Sequence, residues 1–152
     1  MKSTKHLLHL DLQVIADAAI ITEINDESLE GVRQTLDSLK PPLEDAESYK
    51  VTRKEIFIPQ GNAPDVRCLL YIPDDRKKVL GPGYLHVHGG GYIIGSPEGS
   101  DTQNLLLASE IGVVIISVDY RLAPEYPIPA PLDDCYAALG SVSYTHLRAH
   151  ET

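Results

Sequence analysis

The stretch Tyr84-Leu85-His86-Val87-His88-Gly89-Gly90-Gly91 decides the fold of this chain, because an apolar-rich segment ends there in three consecutive glycines. Glycine has no Cβ and tolerates positive φ, so the backbone can turn sharply at this point. The turn also leaves backbone N–H groups unshielded by side chains, where they can donate hydrogen bonds to a bound oxyanion. The stretch therefore predicts a β-strand that leads into a loop of amide donors.

A nucleophile to match this loop is missing from the 152 residues. Loops of the His-Gly-Gly-Gly type accompany a Gly-x-Ser-x-Gly elbow in lipases and esterases, and no such elbow occurs in the sequence. Ser96 and Ser100 follow the glycines, but loop serines near an oxyanion site mostly form turns, so neither is favoured as a nucleophile. The sequence thus predicts one half of a catalytic machinery.

The composition is that of one globular domain, with 152 residues of which 43% are hydrophobic and 23% charged. A net charge of -9, with Lys and Arg scattered along the chain, argues against a nucleic-acid partner. No apolar run is long enough to span a membrane, and the N-terminus is too polar for a signal peptide. Cys68 and Cys135 lack metal-ligand spacing and are interpreted as small buried hydrophobes. These features predict a cytoplasmic protein.

Two amphipathic helices are predicted in the N-terminal region. Between Leu10 and about Ile24, apolar residues recur at helical spacing: Leu12, Ile15, Ala16, Ala19 and Ile20. A second periodic set follows Asp26 and Ser28, which are candidate caps, and consists of Leu29, Val32, Leu36 and Leu39. Pro41-Pro42 ends this helix, and the charged stretch after it lacks apolar periodicity, as a linker does. A boundary is predicted near residue 45.

The rest of the chain alternates strands with helices. Strands are predicted over 51–58, 66–72, 84–88 and 113–118, and the last is too continuously apolar for a sheet with one solvated face. A helix joins the third strand to the fourth; Ser100 or Asp101 can cap it, and it carries Leu105, Leu106, Ala108 and Ile111. Such a unit requires parallel strands and a right-handed crossover. Prolines 124, 127, 129 and 131 delay the next helix to about Leu132 or Asp133. The fold class is α/β.

Three other chemistries fit parts of the sequence less well. A phosphate-binding loop is disfavoured, because Gly-x-Gly-x-x-Gly and Gly-Lys-Ser/Thr are absent and residues 92–99 separate the glycines from the next helix. His86 and His88 alternate on a strand and could share a metal ion, but no third ligand is evident, so His88 is predicted to order the loop. His146 and His150 lack the Glu that a metalloprotease helix needs. No metal and no cofactor are predicted.

A polar segment, Asp119-Tyr120-Arg121-Leu122-Ala123-Pro124-Glu125, follows the most apolar strand, where ligand crevices usually form. Arg121 and Glu125 are close enough to pair, and a guanidinium can hold several carbonyls, so a structural clamp is favoured over a catalytic role. Asp133 and Asp134 lie at a predicted helix start, where capping is favoured over catalysis. Both features are predicted to be structural.

Several motifs, in their order along the chain, resemble those of the hormone-sensitive-lipase-like carboxylesterases of the α/β-hydrolase fold. They are His88-Gly89-Gly90-Gly91-Tyr92 with Gly95-Ser96, the segment from Asp119 to Glu125, Pro127-x-Pro129-Ala130 and Asp133-Asp134. The combination is far more specific than any single motif. It implies that 46–141 form the N-terminal half of an α/β-hydrolase core, with about four strands of its sheet, and that 1–45 form cap helices.

The resemblance assigns roles to the glycine loop. In this family a serine attacks the ester carbonyl, a histidine supported by an aspartate moves the proton, and the glycine loop stabilises the tetrahedral oxyanion. By position, the amides of Gly90 and Gly91 would be the donors, while His88 and Gly89 would shape the loop. The nucleophile, acid and base have no counterpart in this chain. The implied partner is a small-molecule ester with a short or medium acyl chain, and no cofactor is implied.

Residues 142–152 depart from the family pattern, because no apolar strand follows Leu139-Gly140. The stretch resembles the conceptual translation of a sequencing-library adapter, so it is interpreted as an extraneous tail; a genuine polar helix end is the alternative. On this interpretation the chain is an N-terminal fragment that catalyses nothing by itself.

Three functions remain open at this point. The parent protein is a serine carboxylesterase, or it is a non-catalytic small-molecule-binding protein on the same scaffold, or the chain is a short protein that pairs with another chain. The third function follows from the strand order that the resemblance implies, because the third strand then has a bare edge, which invites association. No oligomeric state is predicted.

Overall fold

The computed structural model describes residues 5–13, 24–75 and 82–146. The chain divides into two compact units, Met1–Ser38 and Leu39–Thr152. The boundary near residue 45 stays a prediction. In the second unit, the backbone N–H of Glu44 donates to the Asp101 carboxylate at 3.2 Å and so attaches this segment to the core.

The described part of the first unit contains helix α1, Leu29–Ser38, as predicted. A hydrogen-bonded turn precedes the helix, since Asn25 Oδ1 accepts from the N–H of Ser28 at 2.9 Å and Ser28 Oγ accepts from the N–H of Asn25 at 3.0 Å. Of the first predicted helix, residues 10–13 are helical, whereas 14–23 lie outside the described residues.

Four strands form the sheet of the second unit, namely β1 (Val51–Ile58), β2 (Val66–Pro73), β3 (Gly83–Val87) and β4 (Val114–Val118). Their order in the sheet is β1-β2-β4-β3. β2 pairs antiparallel with both β1 and β4, whereas β3 pairs parallel with β4. The predicted strands are confirmed to within a residue at each end, and so is the parallel pairing.

Helix α2, Asp101–Ile111, joins β3 to β4 and ends at Gly112, whose φ of 70° closes the helix in the left-handed conformation. Its buried positions are Asp101, Asn104, Leu105 and Ala108. Leu106 and Ile111 fall off that face and are 44% and 67% exposed. Ser100 makes no side-chain capping bond to the helix. The helix is therefore confirmed, and of the four apolar residues predicted on it only Leu105 and Ala108 are buried.

Apolar side chains pack on both faces of this sheet. On the α2 face the buried cluster comprises Val51, Leu69, Tyr71, Leu105, Ala108, Val113 and Ile115. The cluster on the other face contains Ala138 of the last helix and includes Ile58, Val66, Cys68, Leu70, Val114, Ile116, Val118 and Tyr120. All five residues of β4 are buried, as the continuous apolar run predicts for a strand covered on both sides.

Helix α3, Ala130–His146, begins earlier than the predicted start near Leu132. Pro131 fits its first turn, where a missing N–H removes no helical hydrogen bond. The helix continues past Gly140, so residues 142–146 of the predicted tail are helical, whereas 147–152 lie outside the described residues. The extraneous origin of the tail stays a prediction. No helix in the described part of the chain is long and apolar enough to cross a membrane.

Candidate active site

The glycine loop follows β3, at the carboxyl end of the parallel strand pair. Gly90 and Gly95 have φ of 133° and 103°, a conformation that glycine adopts at little cost. A Cβ at Gly90 would overlap the backbone carbonyl of Ile94, and a Cβ at Gly95 would lie 2.5 Å from both Gly89 O and His88 Nδ1. Glycine is thus required at these two positions both by the backbone angle and by the close approach of neighbouring atoms.

His88 lies beneath this loop and is 6% exposed. Its ring stacks on that of Tyr120, with 4.1 Å between centroids and 12° between planes. Its Nδ1 lies 2.9 Å from Gly89 O, and because a carbonyl oxygen only accepts, Nδ1 carries the proton. Burial lowers the pKa of His88, so the ring is neutral near pH 7. The ring thus ties the start of the loop to the loop's own backbone.

The direction of the Gly90 N–H, and likewise that of the Gly91 N–H, is set by the carbonyl in the same peptide unit. In a trans peptide the N–H points away from the carbonyl of the preceding residue. Gly89 O is held by His88, and Gly90 O accepts from the N–H groups of Ile93 and Ile94 at 3.1 and 3.2 Å. Within the described chain, neither glycine N–H donates a hydrogen bond. The loop therefore presents two fixed donors without partners there.

The segment after β4 supports this loop at both ends. The Tyr120 hydroxyl donates to His88 O at 2.8 Å, before the glycines, and the Ala123 N–H donates to Tyr92 O at 2.8 Å, after them. Sequence reasoning interpreted the segment as a clamp centred on Arg121 and missed the role of Tyr120. The available signal was a tyrosine at the end of a buried strand, because a buried phenol needs a partner for its hydroxyl.

Arg67 on β2 is a second residue that sequence reasoning missed. Its guanidinium contacts three carboxylates: Glu55 at 2.5 Å, Glu98 at 2.6 Å and Asp119 at 3.0 Å. Burial opposes the charge on Arg67, but the hydrogen bonds that Arg67 donates to these carboxylates outweigh it and raise its pKa. Glu98 follows the glycine loop and Asp119 precedes Tyr120, so Arg67 holds both segments to the sheet. An arginine inside the apolar run 66–72 was the available signal.

Arg121 and Asp134 form the structural clamp. The sequence predicted Arg121 as one member of it but did not predict Asp134 as the other. The Asp134 carboxylate accepts from the Arg121 backbone N–H at 2.7 Å, from its Nη2 at 2.7 Å and from Gln60 Nε2 at 2.5 Å. Burial opposes ionisation of Asp134, but the hydrogen bonds from Arg121 outweigh it and hold its pKa below the ordinary range. The helix-capping role predicted for Asp134 is therefore corrected to a buried ion pair. The predicted partner of Arg121 was Glu125, whereas its bidentate partner is Asp134.

The two strand histidines make different contacts. His86 Nδ1 lies 2.8 Å from Ser117 Oγ on the neighbouring strand, whereas His88 Nδ1 is bonded to Gly89 O. Burial, together with the nearby His88, lowers the pKa of His86. Among the residues that the structure describes, no group of three or more His, Cys, Asp or Glu side chains could hold a metal ion.

The loop serines and the cysteines occupy structural positions. Ser96 precedes a 3-10 turn, Pro97–Ser100, and its carbonyl accepts from the Gly99 N–H at 3.2 Å. Cys68 is fully buried, and burial raises the pKa of its thiol to about 12. Cys135 is half-buried and packs against the same core cluster. The prediction of two small buried hydrophobes is thus confirmed for Cys68 and holds in part for Cys135.

A shallow depression of about 210 Å³ lies away from the glycine loop, lined by Lys50, Pro73, Asp75, Ser109 and Gly112. Gly112 precedes the amino end of β4, whereas the glycine loop follows the carboxyl end of β3. Because β3 and β4 are parallel, the depression and the loop lie at opposite ends of the sheet.

Comparison with known proteins agrees with this fold. A family model described as the α/β-hydrolase fold matches residues 84–151. Tuliposide A-converting enzyme 2 of Tulipa gesneriana is 39% identical over 97 residues, covering 61% of this chain and 25% of that enzyme. Ethyl acetate hydrolase of Pseudomonas putida is 42% identical over 66 residues, covering 43% of this chain and 21% of that enzyme. This chain thus spans about a quarter or less of the length of these relatives.

A solved hormone-sensitive lipase from a metagenome library superposes with a TM-score of 0.69 and 31% identity, covering 96% of this chain and 44% of that structure. The sheet order, the parallel β3-α2-β4 unit and the family match define the α/β-hydrolase fold. Within this fold the chain is similar to the hormone-sensitive-lipase-like carboxylesterases, as its motifs indicated.

Proposed function

We propose that this chain provides the oxyanion-hole half of a serine carboxylesterase. The observation that carries the proposal is the pair of N–H groups of Gly90 and Gly91. The direction of each is fixed, because the carbonyl in the same peptide unit accepts a hydrogen bond. Similarity to an ethyl acetate hydrolase and to a hormone-sensitive lipase supports the same reaction class. The nucleophile, the acid and the base lie outside these 152 residues, in which no Gly-x-Ser-x-Gly occurs.

The reaction creates the charge that this loop would stabilise. When a serine attacks an ester carbonyl, the carbonyl oxygen becomes an oxyanion, and fixed N–H donors stabilise it more than they stabilise the ground-state oxygen. One such donor contributes about 3 kcal/mol to the transition state. Because both peptide planes are already held, Gly90 and Gly91 would need little reorganisation when the charge develops.

His88 supports the donors and moves no proton in this scheme. Its Nδ1–H is committed to Gly89 O, and its Nε2 is buried. A general base must reach the proton that it abstracts, and neither ring nitrogen is available for that. The esterase histidine is therefore a residue other than His88.

The proposed substrate is a small ester with a short or medium acyl chain. The Pseudomonas putida relative, an ethyl acetate hydrolase, offers a chemical precedent for such a substrate. The 152-residue chain alone is proposed to be inactive, because it has two oxyanion donors and no nucleophile elbow.

The test compares the longest reading frame that contains this chain with the chain alone. Both are assayed with p-nitrophenyl acetate and butyrate and treated with a fluorophosphonate that labels reactive serines. We expect the longer protein to hydrolyse both esters and to carry the label on a serine outside the 152 residues, whereas the chain alone does neither. A longer protein that binds esters without hydrolysis or labelling would instead be a non-catalytic binding protein. Hydrolysis by the chain alone, with a labelled serine inside it, would also contradict the proposal.

A further inference from the structure

Tyr120 is buried beside the glycine loop without belonging to it. It directly follows Asp119 at the end of β4 and is 3% exposed. Its hydroxyl donates to His88 O at 2.8 Å, and its ring stacks on the His88 ring at 4.1 Å. Tyr120 therefore holds both the backbone and the side chain of His88.

The orientation of the His88 ring depends on few contacts. Its Nδ1–H donates to Gly89 O at 2.9 Å, whereas its Nε2 has no hydrogen-bond partner among the described residues. The Nδ1 bond and the stack with Tyr120 thus set the plane of the ring. If the ring turned, Gly89 O would lose its donor.

We propose that Tyr120 is a positioning residue for the Gly90 N–H and acts through His88. This inference rests on the proposed function, in which Gly90 is an oxyanion donor. Gly89 C=O and Gly90 N–H belong to one planar peptide unit, so they turn together. When Tyr120 no longer holds His88, the Gly89–Gly90 peptide unit is free to rotate, and the Gly90 N–H no longer points in its original direction.

The second donor is held by different contacts, which makes the inference specific. Gly90 O accepts from Ile93 and Ile94, and this carbonyl sets the direction of the Gly91 N–H. Removing the Tyr120 ring together with its hydroxyl should therefore change the direction of the Gly90 N–H and leave that of Gly91 in place.

Residual dipolar couplings of the backbone N–H groups measure these directions in the 152-residue chain itself, without any activity. In Tyr120→Leu, which removes both the stacked ring and the hydroxyl, we expect the Gly90 coupling to depart from wild type while those of Gly91 and β4 do not. Tyr136→Leu is the matched control, because Tyr136 is 73% exposed. An unchanged Gly90 coupling overturns the proposal, and so does a change in all couplings together, which would mean a general structural role.

A measurement on the wild-type chain keeps the proposal testable even if Tyr120→Leu does not fold. The ¹⁵N chemical shifts of the His88 ring should show a neutral imidazole with its proton on Nδ1. A proton on Nε2 instead would leave Nδ1 unable to donate to Gly89 O and would overturn the proposal.

The longer reading frame adds a kinetic measurement. There, Tyr120→Leu should lower kcat about tenfold or more, as expected when one oxyanion donor changes direction, and change KM by less than about twofold. An unchanged kcat beside a changed Gly90 coupling would overturn the link to the reaction. If the wild-type longer protein hydrolyses no ester, the proposed function fails, whereas the couplings still decide whether Tyr120 positions Gly90.

Discussion

Arg121 and Asp134 face each other between the polar segment after β4 and the first turns of α3, with Nη2 lying 2.7 Å from Oδ1. The Asp134 side chain is 1% exposed and that of Arg121 is 19% exposed. The ring of Tyr126 lies on the guanidinium, 5.3 Å from Cζ to the ring centroid. The pair joins the start of α3 to the segment that supports the glycine loop.

Replacing Asp134 by Asn should lower the free energy of unfolding by about 3 kcal/mol, because it leaves the largely buried charge of Arg121 uncompensated. Urea denaturation followed by circular dichroism measures the change. The control is Asp133→Asn at the exposed neighbouring position, which should stay within about 0.5 kcal/mol of wild type. Equal losses in the two variants would contradict the assignment.

Stability should fall as the pH is lowered below about 6.5, the ordinary pKa of histidine. Burial lowers the pKa of folded His88, although Asp119 and Glu98 act in the opposite direction. The unfolded chain therefore binds the proton first, and acid favours unfolding between the folded pKa and about 6.5. Urea midpoints between pH 7.5 and 5.5 test this. His88→Asn should reduce this dependence and leave the part that comes from His86, whose pKa burial also lowers, whereas substitution of the exposed His9 should leave the dependence as it is. An undiminished dependence in His88→Asn would contradict the prediction.

Two neighbouring glycines should respond differently to alanine. A Cβ at Gly90 would overlap the Ile94 backbone, whereas a Cβ at Gly91 has open space around it. Gly90→Ala should therefore displace the loop and cost a donor, lowering kcat of the longer protein about 100-fold. Gly91→Ala should lower the free energy of unfolding by about 1 kcal/mol, because alanine is disfavoured at a φ of 60°. It should lower kcat much less than Gly90→Ala does. Steady-state kinetics and urea denaturation of both variants test this difference, and equal kinetic losses would show that close approach is not the cause.

The outer edge of β3 should promote self-association. β3 is the last strand of the described sheet, and its Tyr84 and Val87 are each 44% exposed. A lysine on an edge strand disfavours pairing with another chain. Sedimentation velocity should therefore show concentration-dependent oligomers for the wild-type chain and mostly monomer for Tyr84→Lys. Tyr136→Lys, on an exposed position of α3, should behave as wild type; a similar loss of oligomers in both variants would exclude the strand edge as the cause.

Local patterns were enough to predict the strands and α2. The continuous apolar run of β4 indicates burial on both faces, and the glycines after β3 indicate a backbone conformation that other residues do not readily adopt. Such signals depend on residues that are close together in the chain, so they can be recognised in the sequence. The start of α3 was placed too late because proline is tolerated in a first helical turn.

Contacts between distant residues were harder to predict. Asp134 was interpreted as a helix cap because capping depends on position alone, whereas its ion pair depends on how α3 packs beside the end of β4. The triple contact of Arg67 likewise joins Glu55, Glu98 and Asp119 only after the sheet forms. Charge type and spacing do not specify which carboxylate reaches which guanidinium.

The uncharged state of the His88 ring affects how strongly anion stabilisation by the glycine loop would depend on ionic strength. An anion held at Gly90 and Gly91 would be attracted by backbone dipoles, since burial keeps the pKa of His88 low and the ring beneath it uncharged near pH 7. Dissolved ions screen interactions between exposed charges over about 8–10 Å, but they act weakly on hydrogen bonds at contact distance. Stabilisation by this loop should therefore be nearly independent of ionic strength.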